Sequence, residues 1–486
     1  MELWKTIPQA AQAALLAEVR VLNARVADLE ARLAESQARN QDLQNTVEKL
    51  QAQLKGLEFQ LGLNSTNSSL PPSTDRPHVK RAPPRPPSGK KKGAQPGRAH
   101  TPRPRLTPTR IVDLHADSCV DCGHALSGDD PNPVVHQVVE IPPPPPPDVT
   151  EYRRHRRTCP GCGRQTCPPL PAHAQSGFGP RVQAIAAMLT GGSRLGKRAV
   201  AALIGDLFGV PISTGAVCKL QHRTADALVP IVREARKYVA GRPANVDETT
   251  WTEERRSGYV WVAVTKQVTA FLISRVRERA TLQDLIPGSQ GTLTTDRHSI
   301  YYHLKDRQVC WAHLRRDFQA LIDRKDAGSP IGQELLAAAD QMLEAWKQVR
   351  KGTMTREAFR SGPLIAAQTA YRSLTARWAE CPRGKKSARA VLYELSQLDR
   401  ELWRFAEVDG VEPTNNAAER ALRHGVFWRK MSFGTDSARG SRFVEGILTV
   451  VESCRQQGRN LLNYLLDAVT AGRNGTARPS ILPDQS

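Results

Sequence analysis

Three acidic residues, far apart along the chain, carry the first chemical signal. Asp247 lies in A-N-V-D-E-T-T-W and Asp296 in G-T-L-T-T-D-R-H-S-I-Y. Both runs are rich in β-branched and aromatic residues and read as strands. Placed side by side, they would project the two aspartates from neighbouring strand ends, where carboxylates repel unless a cation sits between them. The usual occupant is a divalent metal. Glu248 alternates to the opposite face of its strand. A third acid, Glu419, stands near the start of a helix in E-P-T-N-N-A-A-E-R-A-L-R, with Arg420 and Arg423 close behind. Taken locally, Asn416-x-x-Glu419 is a capping-box pattern in which the glutamate only satisfies helix amides. Taken with the aspartates, Glu419 is the further carboxylate that a two-metal site needs, and the arginines suit phosphate.

Periodicity indicates the elements that position these acids. Two more strands, G-Y-V-W-V-A-V-T and T-A-F-L-I-S-R-V, lie between the aspartates. Residues 279–286 have the helical spacing of a crossover between parallel strands. A fifth run, Q-V-C-W-A-H-L-R-R-D-F, also reads as a strand. In that reading His313 is a strand-end histidine packed beside Trp311, and a further candidate for the site. Beyond Asp317 the pattern is helical for about eighty residues, interrupted by glycines and basic loops.

Of the nine cysteines, four form C-V-D-C-G and C-P-G-C-G, at Cys119, Cys122, Cys159 and Cys162. Each pair reads as a knuckle, two thiolates on one tight turn, and one tetrahedral zinc can bridge two such turns. Residues 134–141 and 149–157 are expected strands, with a proline run at 142–147 outside any ladder. Zinc would supply most of the stability of so small a ribbon. His124, His155 or Cys167 could replace one ligand. Arg153, Arg154, Arg156 and Arg157 suit a phosphate backbone, or form a solvated face. Beyond Gly179, one helix should end at Phe208, turn at Gly209-Val210-Pro211 and resume behind a Ser213 cap. That is the length and turn of a helix-turn-helix, whose second helix would bring Lys219, His222 and Arg223 to a major groove. Many helix pairs share this spacing without touching DNA.

Composition narrows the partners. With 69 Lys and Arg against 48 Asp and Glu, the formal charge is +21. That favours a nucleic acid over a membrane, since no apolar stretch of about 18 residues exists. A chain of 486 residues suggests several domains. No basic segment followed by an apolar run opens the chain, so a secretory signal is not expected, and the cysteines fit a reduced compartment. Leu15, Val19, Leu22, Val26, Leu29, Leu33, Leu43, Val47, Leu50, Leu54, Leu57 and Leu61 keep a heptad, with Asn40 at an a position. Valine at a with leucine at d favours two parallel strands, hence a homodimer, although a single amphipathic helix has the same pattern. N-S-T-N-S-S-L-P-P then stops the helix. Residues 76–110 contain no acid and cannot build a core, so a disordered segment is expected, either a cationic tether for phosphates or a solvated linker.

Together these motifs resemble those of bacterial transposases of the insertion-sequence-66 family. The resemblance spans nearly the whole chain. It rests on the heptad helix, N-S-S-L-P-P, the paired knuckles, the helix-turn-helix, D-E-T, T-D followed by a tyrosine, C-W-A-H-L-R-R, and N-N-A-A-E-R-A-L-R with R-K and F-G behind it. Arg297 stands where many relatives would have glycine, and the proline run is unusual. The resemblance implies a multidomain α+β protein. Its parts would be a coiled coil at 1–63, a disordered basic linker at 64–110, a zinc ribbon at 111–175 and a helix-turn-helix at 176–240. A ribonuclease-H-like core at 241–319 and 403–457 would be split by a helical insertion at 320–402, with a C-terminal helix and tail at 458–486. A D-D-E triad of Asp247, Asp296 and Glu419 would hold two Mg²⁺ or Mn²⁺ ions roughly 4 Å apart. It would cut at terminal inverted repeats and join the ends to target DNA. Arg420, Arg423, Arg429 and Lys430 would form a basic face for that DNA. Small accessory proteins of the same element are candidate partners, and a cytoplasmic, nucleoid-associated location is expected. On the residues alone two other classes stay open: a non-catalytic DNA-binding protein, and a ribonuclease or resolvase.

Overall fold

The computed structural model describes residues 8–64, 67, 103–381 and 387–483. Most of the basic linker therefore lies outside the described residues. A long helix, α1 (Gln9–Gly62), comes first, then a two-residue hairpin, β1 (Arg157–Thr158) and β2 (Gln165–Thr166). Three helices follow, α2 (Pro180–Gly191), α3 (Lys197–Phe208) and α4 (Thr214–Ala240). The sheet strands are β3 (Ala244–Glu253), β4 (Arg256–Val264) and β5 (Thr269–Ser274) and, after α5 (Arg279–Leu285), β6 (Leu293–Thr295) and β7 (Arg307–Val309). Next come α6 (Trp311–Asp323), α7 (Ser329–Arg350), α8 (Arg356–Phe359), α9 (Ile365–Ala376), α10 (Ala388–Gln397) and α11 (Asp399–Glu407). The chain closes with α12 (Asn416–Ser432), α13 (Ala438–Gln457) and α14 (Leu461–Asn474). None of the described helices is long and apolar enough to cross a membrane. The chain divides into two compact units: α1 with residues 311–399, and the hairpin, the sheet and their helices.

In the first unit the heptad forms a single 54-residue helix whose leucines and valines are exposed along their stripe. In the same unit, the buried Tyr371 packs edge-on against Trp311, with ring centroids 5.1 Å apart. Its hydroxyl donates to the Leu335 carbonyl at 2.9 Å. This region corrects the fifth expected strand. Only Arg307–Val309 is extended, and Trp311–Asp323 is helix. Trp311, Leu314, Phe318 and Leu321 are its buried residues, a three- and four-residue spacing that buries one helical face, whereas strand pairing would alternate. His313 is consequently a half-buried residue in the first turn of α6, not a strand-end histidine.

The second unit is built on a five-stranded sheet in the order β5-β4-β3-β6-β7. The first three strands are antiparallel, while β6 and β7 run parallel to β3. The crossover helix that this parallel pairing needs is α5, where the spacing predicts it. Val246, Trp261 and Ala263 face a core shared with α4, α13 and α14. Trp251, Val260 and Val262 face the other way, against Ala418, Ala421 and Leu422 of α12. The β5 edge is covered by α13. The amides of Thr269, Phe271 and Ile273 donate to Ser453 Oγ, Thr449 Oγ1 and Glu445 Oε1 at 3.0, 3.1 and 2.7 Å. Alternate strand residues thus meet side chains four apart on one helix, which leaves no open ladder on that edge.

Two of the sequence expectations fare differently. The helix before the turn ends at Phe208, Gly209 takes a left-handed φ of 63°, and the Ser213 side chain accepts the Ala216 amide. The strands expected at 134–141 and 149–157 are absent except for the short hairpin that begins at Arg157. The reason is a missing core: Val134, Val138 and Val149 are 100%, 86% and 82% exposed, so no apolar burial holds the segments together.

Candidate active site

Asn245 of β3 pairs with Thr294 of β6, the last pairing of that parallel ladder. Two residues beyond that pair come Asp247, still within β3, and Asp296, just past the end of β6. Asp247 is not a strand end, because β3 continues to Glu253 against β4. It lies where the pairing with β6 stops and the sheet opens. The face it occupies is the one covered by α12, since its register partner Val262 packs with Ala418 and Ala421.

The approach of α12 is set by a laced loop. The Asn245 side chain donates to the Thr414 carbonyl at 2.9 Å, and the buried Asn415 returns a bond of the same length to the Val246 carbonyl. Thr294 Oγ1 donates to the Glu412 carbonyl at 3.2 Å, and the Asn415 amide meets Cys310 Sγ at 3.1 Å. Glu419 therefore stands in the first turn of the helix that covers the Asp247 face of the sheet. The capping-box alternative is not formed. Asn415 occupies the N-cap, makes no side-chain cap, and Glu419 falls one position beyond the one a capping box uses.

Electrostatics tie the three acids together. Burial first, then the charges of Glu248, Asp296 and Glu419, push the Asp247 carboxyl well above the usual aspartate range. The Glu248 amide, which donates to Asp247 Oδ1 at 2.9 Å, works the other way. Asp296 Oδ1 accepts the His298 amide at 2.9 Å. Among the described residues no three His, Cys, Asp or Glu side chains form a closed metal cage. The three acids nonetheless act on one another electrostatically. Their chemistry fits a hard divalent ion, because all donors are carboxylate oxygens and the half-buried Asp247 faces like charges.

Glu248 falls on the opposite face of β3, as alternation predicts. Its side chain is only 1% exposed and is bonded by Arg277, with Nε at 2.6 Å, and by the Tyr301 hydroxyl. Sequence reasoning missed Tyr301, Arg277, Asn245 and Asn415 as supports of this site. The tyrosine after T-D and the doubled asparagine before Glu419 were the available signals.

The cysteine pairs fold into two matching turns. Cys119 and Cys159 each donate their amide to the carbonyl five residues on, at 2.8 and 2.9 Å. Gly123 and Gly163 close the turns with φ of 72° and 71°. The backbone amide of Cys122 and then that of Asp121, with the Cys122 thiol, lower the Cys119 thiol. The amides of Gly161 and Cys162, with the Cys162 thiol, do the same for Cys159. Each turn thus favours a thiolate at its first cysteine, which suits zinc, although Cys119, Cys122, Cys159 and Cys162 are not gathered into one cage here.

The expected DNA-facing residues divide in two. Lys219, Arg420, Arg423 and Lys430 are exposed. Arg223 reaches the Gln175 carbonyl at 3.4 Å. His222 instead lines a cavity inside the unit. Arg429 is half-buried, and its guanidinium ties α12 to the carbonyl and hydroxyl of Thr250.

Comparison with known proteins adds two matches to family models. Residues 176–442, which contain all three acids, match the model described as Transposase IS66 family. Residues 2–104 match a family of unknown function, DUF6444. Two relatives come from Sinorhizobium fredii. Uncharacterized protein y4qI is 28% identical over 38% of this chain and 36% of its own length. Uncharacterized protein y4hP is 25% identical over 74% of this chain and 71% of its own length.

Proposed function

Because the chain belongs to the IS66 family of transposases, we propose that it cuts DNA at the terminal inverted repeats of its element and joins the freed ends to target DNA. The observation that carries this reading is the electrostatic field that Asp296 and Glu419 share with the half-buried, charge-raised Asp247. The mixed sheet order, with two parallel strands added beside β3, supports a ribonuclease-H-like core for these acids. Bound there, Mg²⁺ or Mn²⁺ would activate a water or a 3′-hydroxyl as nucleophile and stabilise the leaving oxygen. Asp247, Asp296 and Glu419 would hold it, in the arrangement of a D-D-E triad. Asp247 would take the central place, since burial leaves its charge least satisfied by water. Arg420 and Arg423, following Glu419 on α12, would orient the phosphate backbone.

The remaining parts fit the same function. Residues 197–240 would act as a helix-turn-helix, with Lys219 and Arg223 toward DNA. The cysteine turns would share one structural zinc, and α1 would pair with a second copy. A cytoplasmic setting on bacterial DNA, with small accessory proteins of the element, completes the proposal.

The test uses a labelled duplex carrying the inverted repeats that flank the gene. Wild-type protein should cleave it with Mg²⁺ and not with a chelator. Asp247→Asn, Asp296→Asn and Glu419→Gln should each lose cleavage by at least about a thousandfold, the scale of losing a group that acts on the transition state, and still shift the duplex in a gel. Wild-type cutting by any one of them removes that residue from the triad. Equal cutting of duplexes lacking the repeats would instead favour a general nuclease.

A further inference from the structure

A cavity of about 340 Å³ lies at the far end of α12 from Glu419. That volume is within the range of small-ligand sites, roughly 300–1,000 Å³. Its walls combine three kinds of chemistry. The half-buried Trp428 supplies an aromatic ring, backed by the buried Phe443 with ring centroids 6.2 Å apart in an edge arrangement. Gln221 is 7% exposed and commits its amide to Thr190 Oγ1 at 2.9 Å, which leaves its carbonyl oxygen as an acceptor. Arg194 and Lys197 supply cations at the start of α3, whose N-cap Gly196 makes no side-chain cap. His222 senses the same charge: burial first, then Arg439 and Lys197, hold its imidazole below the usual histidine range, with only Asp226 opposing. Asp436 also lines the cavity and is its one carboxylate.

The position of this cavity relative to the acids follows from two routes. Along α12, Trp428 is roughly nine residues from Glu419, about 14 Å at the helical rise. Along β3, Thr252 is roughly five residues from Asp247, about 17 Å. Thr252 is joined to the cavity wall by its carbonyl, which accepts the Thr435 amide at 2.9 Å. Both routes give about 15 Å, or four to five base steps at 3.4 Å each.

We propose that the cavity receives one nucleotide of the DNA strand, turned out of its stack four or five base steps from the bond that is cut. The base lies against Trp428, its edge meets Gln221, and its phosphate is held by Arg194 and Lys197. Stacking on aromatic rings is worth roughly 1–3 kcal/mol per base, which offsets part of the cost of leaving the stack. The assignment of the cut rests on the triad reading above. Occupation of the cavity by a nucleotide does not.

Two measurements on the full-length protein test the inference. The first is photo-crosslinking to an oligothymidylate strand carrying one 5-iododeoxyuridine, mapped by mass spectrometry. The label should fall on Trp428, and the exposed-site variant Lys197→Ala should reduce the yield about tenfold. The second is a repeat-bearing duplex with 2-aminopurine at each of the first eight positions from the cut, in Ca²⁺. Fluorescence should rise most at the fourth or fifth position and should fall back to the level of free duplex in Trp428→Ala. Labels confined to the exposed face of α4, or no position-dependent rise, overturn the inference. Protein that cleaves the repeats without labelling the cavity overturns it alone. Protein that labels the cavity yet cuts no duplex keeps it and overturns the cleavage reading.

Discussion

At Asp247, burial and three like charges act in the same direction, with one backbone amide opposing them. An ionised carboxylate held there without a cation costs stability, and the same arrangement attracts a divalent ion. Asp247→Asn keeps the shape and the bond from the Glu248 amide while removing the charge. In chelator the variant should therefore be more stable than wild type by about 1–3 kcal/mol, read from urea unfolding. Adding Mg²⁺ should narrow that gap by stabilising wild type alone. A variant less stable than wild type in chelator would show that Asp247 is compensated by contacts of its own. The acids themselves were legible in the sequence, because strand runs and a helix start announce where each would sit. The supports were not. Nothing in Asn415 or Tyr301 as residue types says that one reaches the Val246 carbonyl and the other the Glu248 carboxylate.

Among the elements, α13 does what sequence patterning does not reveal. Its Glu445, Thr449 and Ser453 satisfy the edge amides of β5, although mid-helix Ser and Thr read as ordinary polar positions. Phe271 and Thr449 are both fully buried, so water cannot replace a lost partner. Thr449→Val, close in shape, should leave the Phe271 amide unsatisfied and cost about 1–3 kcal/mol, measured by denaturant unfolding. A change below about 0.5 kcal/mol would mean that the edge is held by packing alone. The boundary between β7 and α6 was misread for a related reason. C-W-A-H-L-R-R-D-F is aromatic and apolar enough for a strand, and only the burial of Trp311, Leu314, Phe318 and Leu321 on one side selects helix. The helix pair around Gly209 was legible because a left-handed glycine and a serine cap act within a few residues of themselves.

At the scale of the whole molecule, the chain divides into two compact units. In one, α1 spans roughly 80 Å of helix with its apolar stripe exposed. A stripe of valine and leucine at heptad spacing is most simply covered by a second copy. Full-length protein should sediment as a dimer, and a chain beginning at residue 64 should sediment as a monomer. A truncated chain that remains dimeric would move the interface elsewhere. In the other unit, the sheet and α12 bring residues some 170 positions apart to one place. By itself the sequence determined what depends on near neighbours: the heptad helix, the cysteine turns, the serine-capped helix and the strands around Asp247. The tertiary structure alone decided that Asp247 faces α12 and Glu248 faces Tyr301, that Arg429 is tied down, that His222 turns inward, and that a cavity opens beside Trp428. The physical reason is range. Periodicity and caps are fixed by bonds a few residues long, whereas a buried carboxylate's charge and a cavity's walls are set by whichever distant segments packing brings together.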